Sequence, residues 1–200
     1  MGLWGSSSPS YLILQSLDAA NELLADYPEK LQALLPQLES LRRRLAARGW
    51  EVRPGEPLKV TLCPKGYGYT GSEVAAALES GGIYPEFYDT DHVVLMVSPQ
   101  NDPAELRRLE EVLAALPRRQ AIRQGPPPMP RLEQAVTPHE AMLSPWEEVP
   151  LAACCGRISA AGALGCPPAV PVVLCGQRID AAAVEVLRYY GFRRCAVLTE

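Results

Sequence analysis

The segment from Pro57 to Leu116 constrains the fold most, because its order of elements can be read residue by residue. Leu58 to Leu62 is a short β-rich run. The turn Gly66-Tyr67-Gly68-Tyr69-Thr70-Gly71 follows. Thr70 and Glu73 have capping-box spacing: the hydroxyl accepts a backbone N–H at the helix start, and the carboxylate reaches back. Val74, Ala77 and Leu78 supply an apolar helix face, and Gly81-Gly82 ends it. Tyr84 to Tyr88 and His92 to Val97 are extended runs split by the turn Asp89-Thr90-Asp91. Asp102, Pro103 and Glu105 open a last helix as cap, N1 proline and N3 acid, with Leu106, Leu109, Leu113 and Leu116 as its buried stripe. The fold class expected is α+β: an N-terminal helical segment, a small β-α-β-β-α layer, a Pro-rich linker, and a small C-terminal α/β segment.

The flanking regions set the domain divisions at 1–50, 51–120, 121–137 and 138–200. In the first, Ser8-Pro9 reads as a cap and N1 proline, and Ile13, Leu17, Ala20 and Leu24 line one face. Leu31, Leu34, Leu35, Leu38, Leu41 and Leu45 follow on a second helix closed by Gly49. Pro36 should kink or restart that helix, since it lacks the N–H that the ladder needs. Gly125 to Pro130 holds four prolines and reads as an extended linker. Beyond it the sequence predicts a short helix at His139 to Leu143, a strand at Pro171 to Leu174, a capped helix from Asp180 to Tyr190, and a strand at Cys195 to Leu198.

A net charge of −4 leaves no basic footprint for nucleic acid. Arg42-Arg43-Arg44 reads as the solvated end of a helix, where cations suit the dipole. No stretch has the roughly 20 apolar residues of a membrane span. Met1 to Ser10 lacks a signal peptide's basic and apolar regions, so the cytoplasm is expected. The six cysteines include no Cys-x-x-Cys pair and read as buried free thiols, with no metal site. The glycine-rich turn lacks the Lys-Ser ending of a phosphate loop and the spacing of a dinucleotide fingerprint. His92 reads as an exposed strand-end histidine, His139 as a first-turn helix residue, and Glu147 and Glu148 as solvated carboxylates. Spacing assembles no serine–histidine–acid or cysteine–histidine set.

The run from Pro57 to Pro117 resembles the region after the cofactor domain in bacterial ornithine/lysine/arginine decarboxylases, fold-type I enzymes that use pyridoxal 5′-phosphate (PLP). Ser6 to Leu12 with Ser16-Leu17-Asp18, Ser144 to Pro150, Gly156-Arg157-Ile158 and Pro167 to Pro171 resemble further segments of that family, in its order. The resemblance implies that Ser7 and Ser8 contact the cofactor phosphate of a partner subunit. It also implies a homo-oligomer, or pairing with the PLP domain, and a basic amino-acid substrate in the intact enzyme. The family's cofactor lysine sits in a Ser-x-His-Lys context. Neither histidine here is followed by lysine, and the lysines are Lys30, Lys59 and Lys65. PLP chemistry needs that lysine and an acid at the pyridine nitrogen. The expectation is therefore a C-terminal portion that completes the dimer and the active-site entrance, inactive alone and binding no cofactor alone, with no catalytic residue assigned. The alternative is a non-catalytic interaction protein or pseudoenzyme that binds a full-length paralogue; a small-molecule sensor is a third reading. Ala161, Cys166 and Ala169 depart from the family's acid, aromatic and glycine, and such changes weaken the case for full activity.

Overall fold

A computed structural model describes residues 10–166 and 170–199. Two apolar cores organise them. The first is built by α2 (Tyr27–Ala47), α3 (Gly71–Ser80) and α4 (Pro103–Ala115) against one face of a four-stranded antiparallel sheet. That sheet has the order β1 (Glu51–Arg53), β2 (Lys59–Cys63), β4 (Val93–Met96), β3 (Phe87–Tyr88). Alternation decides its faces. Val60, Leu62, Val93 and Leu95 point into the core, while Lys59, Thr61, Val94 and Met96 lie on the opposite, open face.

The predicted α+β class holds, and the caps explain the helix starts. At α3, Glu73 accepts from the Thr70 N–H at 2.8 Å, and the Thr70 hydroxyl accepts from the Glu73 N–H at 3.3 Å. At α4, Asp102 accepts from the Ala104 N–H at 2.7 Å and Glu105 from the Asp102 N–H at 3.0 Å. Leu109 and Leu113 are buried, with Leu106 and Leu116 packed at the core's edge. Strand β1 is an addition to the expected layer; three residues after a helix carry too little pattern to reveal it, and its pairing with β2 supplies the stability. Around Pro36 the helix neither breaks nor restarts: α2 runs through it unbroken. Pro36 and Gln32 are both exposed, so the carbonyl freed by the missing N–H faces water.

The second core lies under α6 (Ala181–Tyr189), with β5 (Trp146–Pro150) paired to β8 (Arg194–Leu198) and β6 (Ala163–Cys166) paired to β7 (Val170–Leu174). Short α5 (Pro138–Leu143) starts on a Thr137–Glu140 capping box. Strand β5 is a further addition to the expected elements; cross-strand pairing with the C-terminal strand overrides the low strand propensity of Pro150. The segment between α4 and α5 carries no helix and few strand pairings, as its prolines require. It is anchored to the first lobe by bonds from the Arg119 N–H to the Tyr67 carbonyl and from the Ile122 N–H to the Lys65 carbonyl.

The first helix, α1 (Tyr11–Leu24), buries none of its residues. It starts at Ser10, and the expected Ser8-Pro9 cap lies outside the described residues. Of the cysteines, Cys63, Cys154, Cys175 and Cys195 are buried free thiols, whereas Cys155 is exposed; burial was expected of it too. Its neighbour Cys154 takes the inward position after β5, which leaves Cys155 outward. No described helix is long and apolar enough to cross a membrane.

Candidate functional site

Three features of the described residues carry functional information: a polar joint between the lobes, the open sheet face, and α1. The joint centres on Lys65, in the 3-10 turn that follows β2. Its ammonium lies 2.6 Å from Asp91 and donates to the Gln124 carbonyl at 2.7 Å. It also bonds the Tyr189 hydroxyl, which donates to Asp91 at 2.6 Å. The Thr90 hydroxyl donates to the Tyr189 carbonyl at 3.3 Å. Lys65 and Asp91 keep only 13% and 10% of their side chains exposed, so the pair acts in a poorly screened environment. Burial, and then Asp91, push the Tyr189 hydroxyl well above the ordinary tyrosine range. Tyr189 closes α6 in the second lobe, so this one cluster ties both lobes to the linker.

The glycine-rich turn serves this packing. A side chain on Gly71 would collide with the carbonyls of Asp89 and His92, so the start of α3 can lie against the β3–β4 turn only with glycine there. The turn is structural, as its spacing indicated.

Within that turn, Asp89 accepts from the backbone N–H groups of Asp91 at 2.7 Å and His92 at 2.6 Å. Burial opposes its charge, but His92 and these donors outweigh burial and hold its carboxyl below the usual range. The His92 ring lies 3.4 Å from Asp89. Bonding to Asp89, then to Cys63, raises His92 to about 9 against the opposing effect of burial. His92 is therefore neither an exposed strand-end residue nor isolated: its side chain is 26% exposed and it meets a cysteine. Sequence spacing hid this contact because the two residues are joined only through strand pairing. On the open face, His92, Thr61, Val94, Met96 and Phe87 help line a cavity of about 580 Å³.

The remaining candidates separate. Ser7 and Ser8 lie outside the described residues. His139 is exposed in the first turn of α5. Glu147 and Glu148 are exposed on β5 but not simply solvated: Arg157 meets Glu147 at 2.8 Å, and Arg194 meets Glu148 at 2.9 Å. Ala161 packs at the edge of the second core. The side chain of Cys166, and Ala169, fall outside the described residues. Among those residues no cluster of histidine, cysteine and acidic groups could hold a metal ion.

The described lysines do not fit a PLP site. A Schiff-base lysine and the acid at the pyridine nitrogen must stand on opposite sides of a ring. Here Lys30 touches Asp26 at 2.8 Å, Lys59 touches Glu56 at 3.0 Å, and Lys65 touches Asp91 at 2.6 Å. Each carboxylate lies against the ammonium itself, which leaves no room for a ring between them.

Comparison with known proteins shows that this two-lobed chain is similar to the C-terminal part of amino-acid decarboxylases. Residues 119–196 match the family model described as Orn/Lys/Arg decarboxylase, C-terminal domain. The chain is 27% identical over 197 residues to the uncharacterized protein YaaO of Bacillus subtilis (strain 168), covering 91% of this chain and 41% of that protein. It is 28% identical over 196 residues to an arginine decarboxylase of the same organism, covering 87% of this chain and 40% of the relative. The fold matches the constitutive lysine decarboxylase of E. coli with a TM-score of 0.66 at 20% identity, over 98% of this chain and 44% of that one. The chain thus spans about 40% of the length of the curated relatives it matches.

Proposed function

We propose that this chain works as the C-terminal portion of a PLP-dependent decarboxylase acting on ornithine, lysine or arginine. In this reading α1 packs on a cofactor domain, and the chain completes the dimer and the active-site entrance. PLP, when bound by that domain, supplies the electron sink for loss of carbon dioxide; this chain supplies surface and no Schiff-base lysine. Ser7 and Ser8, ahead of α1, contact the cofactor phosphate of the partner subunit. The chain alone is inactive. Free thiols among the described residues suit a reducing compartment, and we place the protein in the cytoplasm.

The observation that carries this reading is α1. Tyr11, Leu12, Ile13, Leu17, Leu23 and Leu24 are all more than half exposed. A helix apolar on most sides is a buried helix in its working state. Their combined exposed area is on the order of 800 Å², the contribution of one partner to a standard interface.

The test is a chimera in which the full chain replaces the C-terminal portion of the B. subtilis arginine decarboxylase. Carbon dioxide release from each basic amino acid is measured with PLP added. Activity in the chimera, lost on Leu12→Asp together with Leu17→Asp, is the expected result. Decarboxylation by the isolated chain would overturn the reading. Ala161 favours a second reading, a pseudoenzyme that pairs with a full-length paralogue. Mixed dimers with that arginine decarboxylase, seen by sedimentation and lowering its activity, distinguish it.

A further inference from the structure

We propose that the open face of the four-stranded sheet binds a neutral bipolar ligand, an ω-amino carboxylate, with its carboxylate at Arg53 and its ammonium at Glu86. The sheet register builds the site. Arg53 lies opposite Thr61, Thr61 opposite Val94, and Val94 opposite Phe87. These residues form one row that crosses every strand of the sheet. At about 4.8 Å per strand the row is about 14 Å long. Residues directly opposite share a face. The row therefore lies on the side away from the helices, while Val60, Leu62, Val93 and Leu95 turn into the core.

This row floors the cavity of about 580 Å³, a size within the range of small-ligand sites. Val94, Phe87 and Met96 make the floor apolar, and Met96 stays 54% exposed. Gly55 and Glu56, from the β1–β2 connection, wall one side. Glu86, in the bend before β3, walls the other.

Charge decides the class of ligand. Lys59 meets Glu56 at 3.0 Å, and the His92 ring lies 3.4 Å from Asp89, so those groups answer one another. Arg53 and Glu86 both line the cavity, and neither makes an ion pair among the described residues. They stand at opposite edges of the sheet: Arg53 ends β1, and Glu86 precedes β3. Arg42 and Arg43 border Arg53 from α2 and share the single acid Glu39, which keeps the Arg53 end net positive. One cation and one anion are thus left over, with an apolar floor and the Thr61 hydroxyl between them.

A methylene chain laid on Val94 and Met96 can pair its two ends with Arg53 and Glu86. The guanidinium suits a carboxylate, which it takes by two parallel N–H bonds. A simple carboxylate leaves Glu86 unanswered, and a diamine leaves Arg53. A basic amino acid brings a second ammonium, whereas Glu56 and Asp89 are already held by Lys59 and His92. The site belongs to this chain alone, so failure of the decarboxylase chimera leaves it intact.

The test is titration of the full, folded chain with ε-aminocaproate, followed by the amide NMR signals of Thr61, Val94 and Phe87. Saturable binding in the millimolar range is expected. Caproate, which lacks the ammonium, and L-lysine, which carries a second, should each bind about fivefold more weakly, the upper range for one exposed ion pair. Arg53→Gln and Glu86→Gln should each weaken ε-aminocaproate by about fivefold as well. Both positions are exposed, so the fold is expected to hold. Arg53→Glu combined with Glu86→Arg should recover the native affinity, because the ligand can lie the other way round. Lack of saturation at tens of millimolar overturns the proposal. So does equal binding of caproate or L-lysine, unchanged affinity in the single variants, or no recovery in the reversed pair.

Discussion

Lys65 and Asp91 form a salt bridge of 2.6 Å that a third residue, Tyr189, completes from the other lobe. The two charged residues lie in the first lobe, 26 positions apart, yet their cluster is what joins it to the second. The two lobes have separate apolar cores, so this polar joint couples them where no shared core does.

Lys65→Met leaves the Asp91 charge buried beside Tyr189 without its cation. The expected loss is about 3–5 kcal/mol, the range for breaking one side of a buried pair. Urea unfolding should also change from a single transition to two, one for each lobe. An unchanged midpoint with a single transition would show that the joint does not couple them.

Tyr189→Phe keeps the ring and removes one hydroxyl. Asp91 and Lys65 then each lose a partner, at an expected cost of about 1–3 kcal/mol. Differential scanning calorimetry should show the change chiefly in the second lobe, since Lys65–Asp91 remains intact in the first.

His92 gives a pH dependence of defined sign. Its pKa in the fold is raised from 6.5 to about 9. The folded state therefore binds the proton more tightly than the unfolded chain, and the stability this contributes is fully present below about pH 6.5. It is lost as pH rises through about 9. Asp89, whose carboxyl is depressed, contributes stability above the ordinary carboxylate range and loses it as pH falls through its lowered pKa. The difference in urea midpoint between the native chain and His92→Gln should shrink across the alkaline interval. A constant difference from acid to alkaline pH would exclude the imidazolium.

Gly71→Ala and Gly66→Ala separate two reasons for glycine in one turn. An added carbon at Gly71 meets two carbonyls of the β3–β4 turn, whereas at Gly66 it meets open space. Gly71→Ala is expected to cost about 1–3 kcal/mol, as overpacking does. Gly66→Ala should fall within about 0.5 kcal/mol of the native chain by thermal denaturation.

Leu12→Asp with Leu17→Asp tests α1 in the isolated chain. Both side chains are exposed, so stability should stay within about 0.5 kcal/mol per site. Self-association at high concentration should fall, as read by sedimentation, because an apolar patch of this kind promotes it.

Local chemistry made much of the fold legible in the sequence. Capping boxes at Thr70 and Asp102, the leucine stripes of α2 and α4, and Gly49 and Gly191 at helix ends each depend on residues a few positions apart. The order of those elements carried the family resemblance as well. What the sequence could not determine depends on partners distant in the chain. Strands β1 and β5 exist because β2 and β8 pair with them, and their own residues have little strand pattern. In the sequence Lys65 was one of three lysines outside the family's cofactor motif, and His92 read as a strand end. Tertiary packing brought the first to Asp91 and Tyr189, and strand register brought the second to Cys63. Charge and proton affinity in both places are set by burial and by those neighbours, which no local spacing specifies.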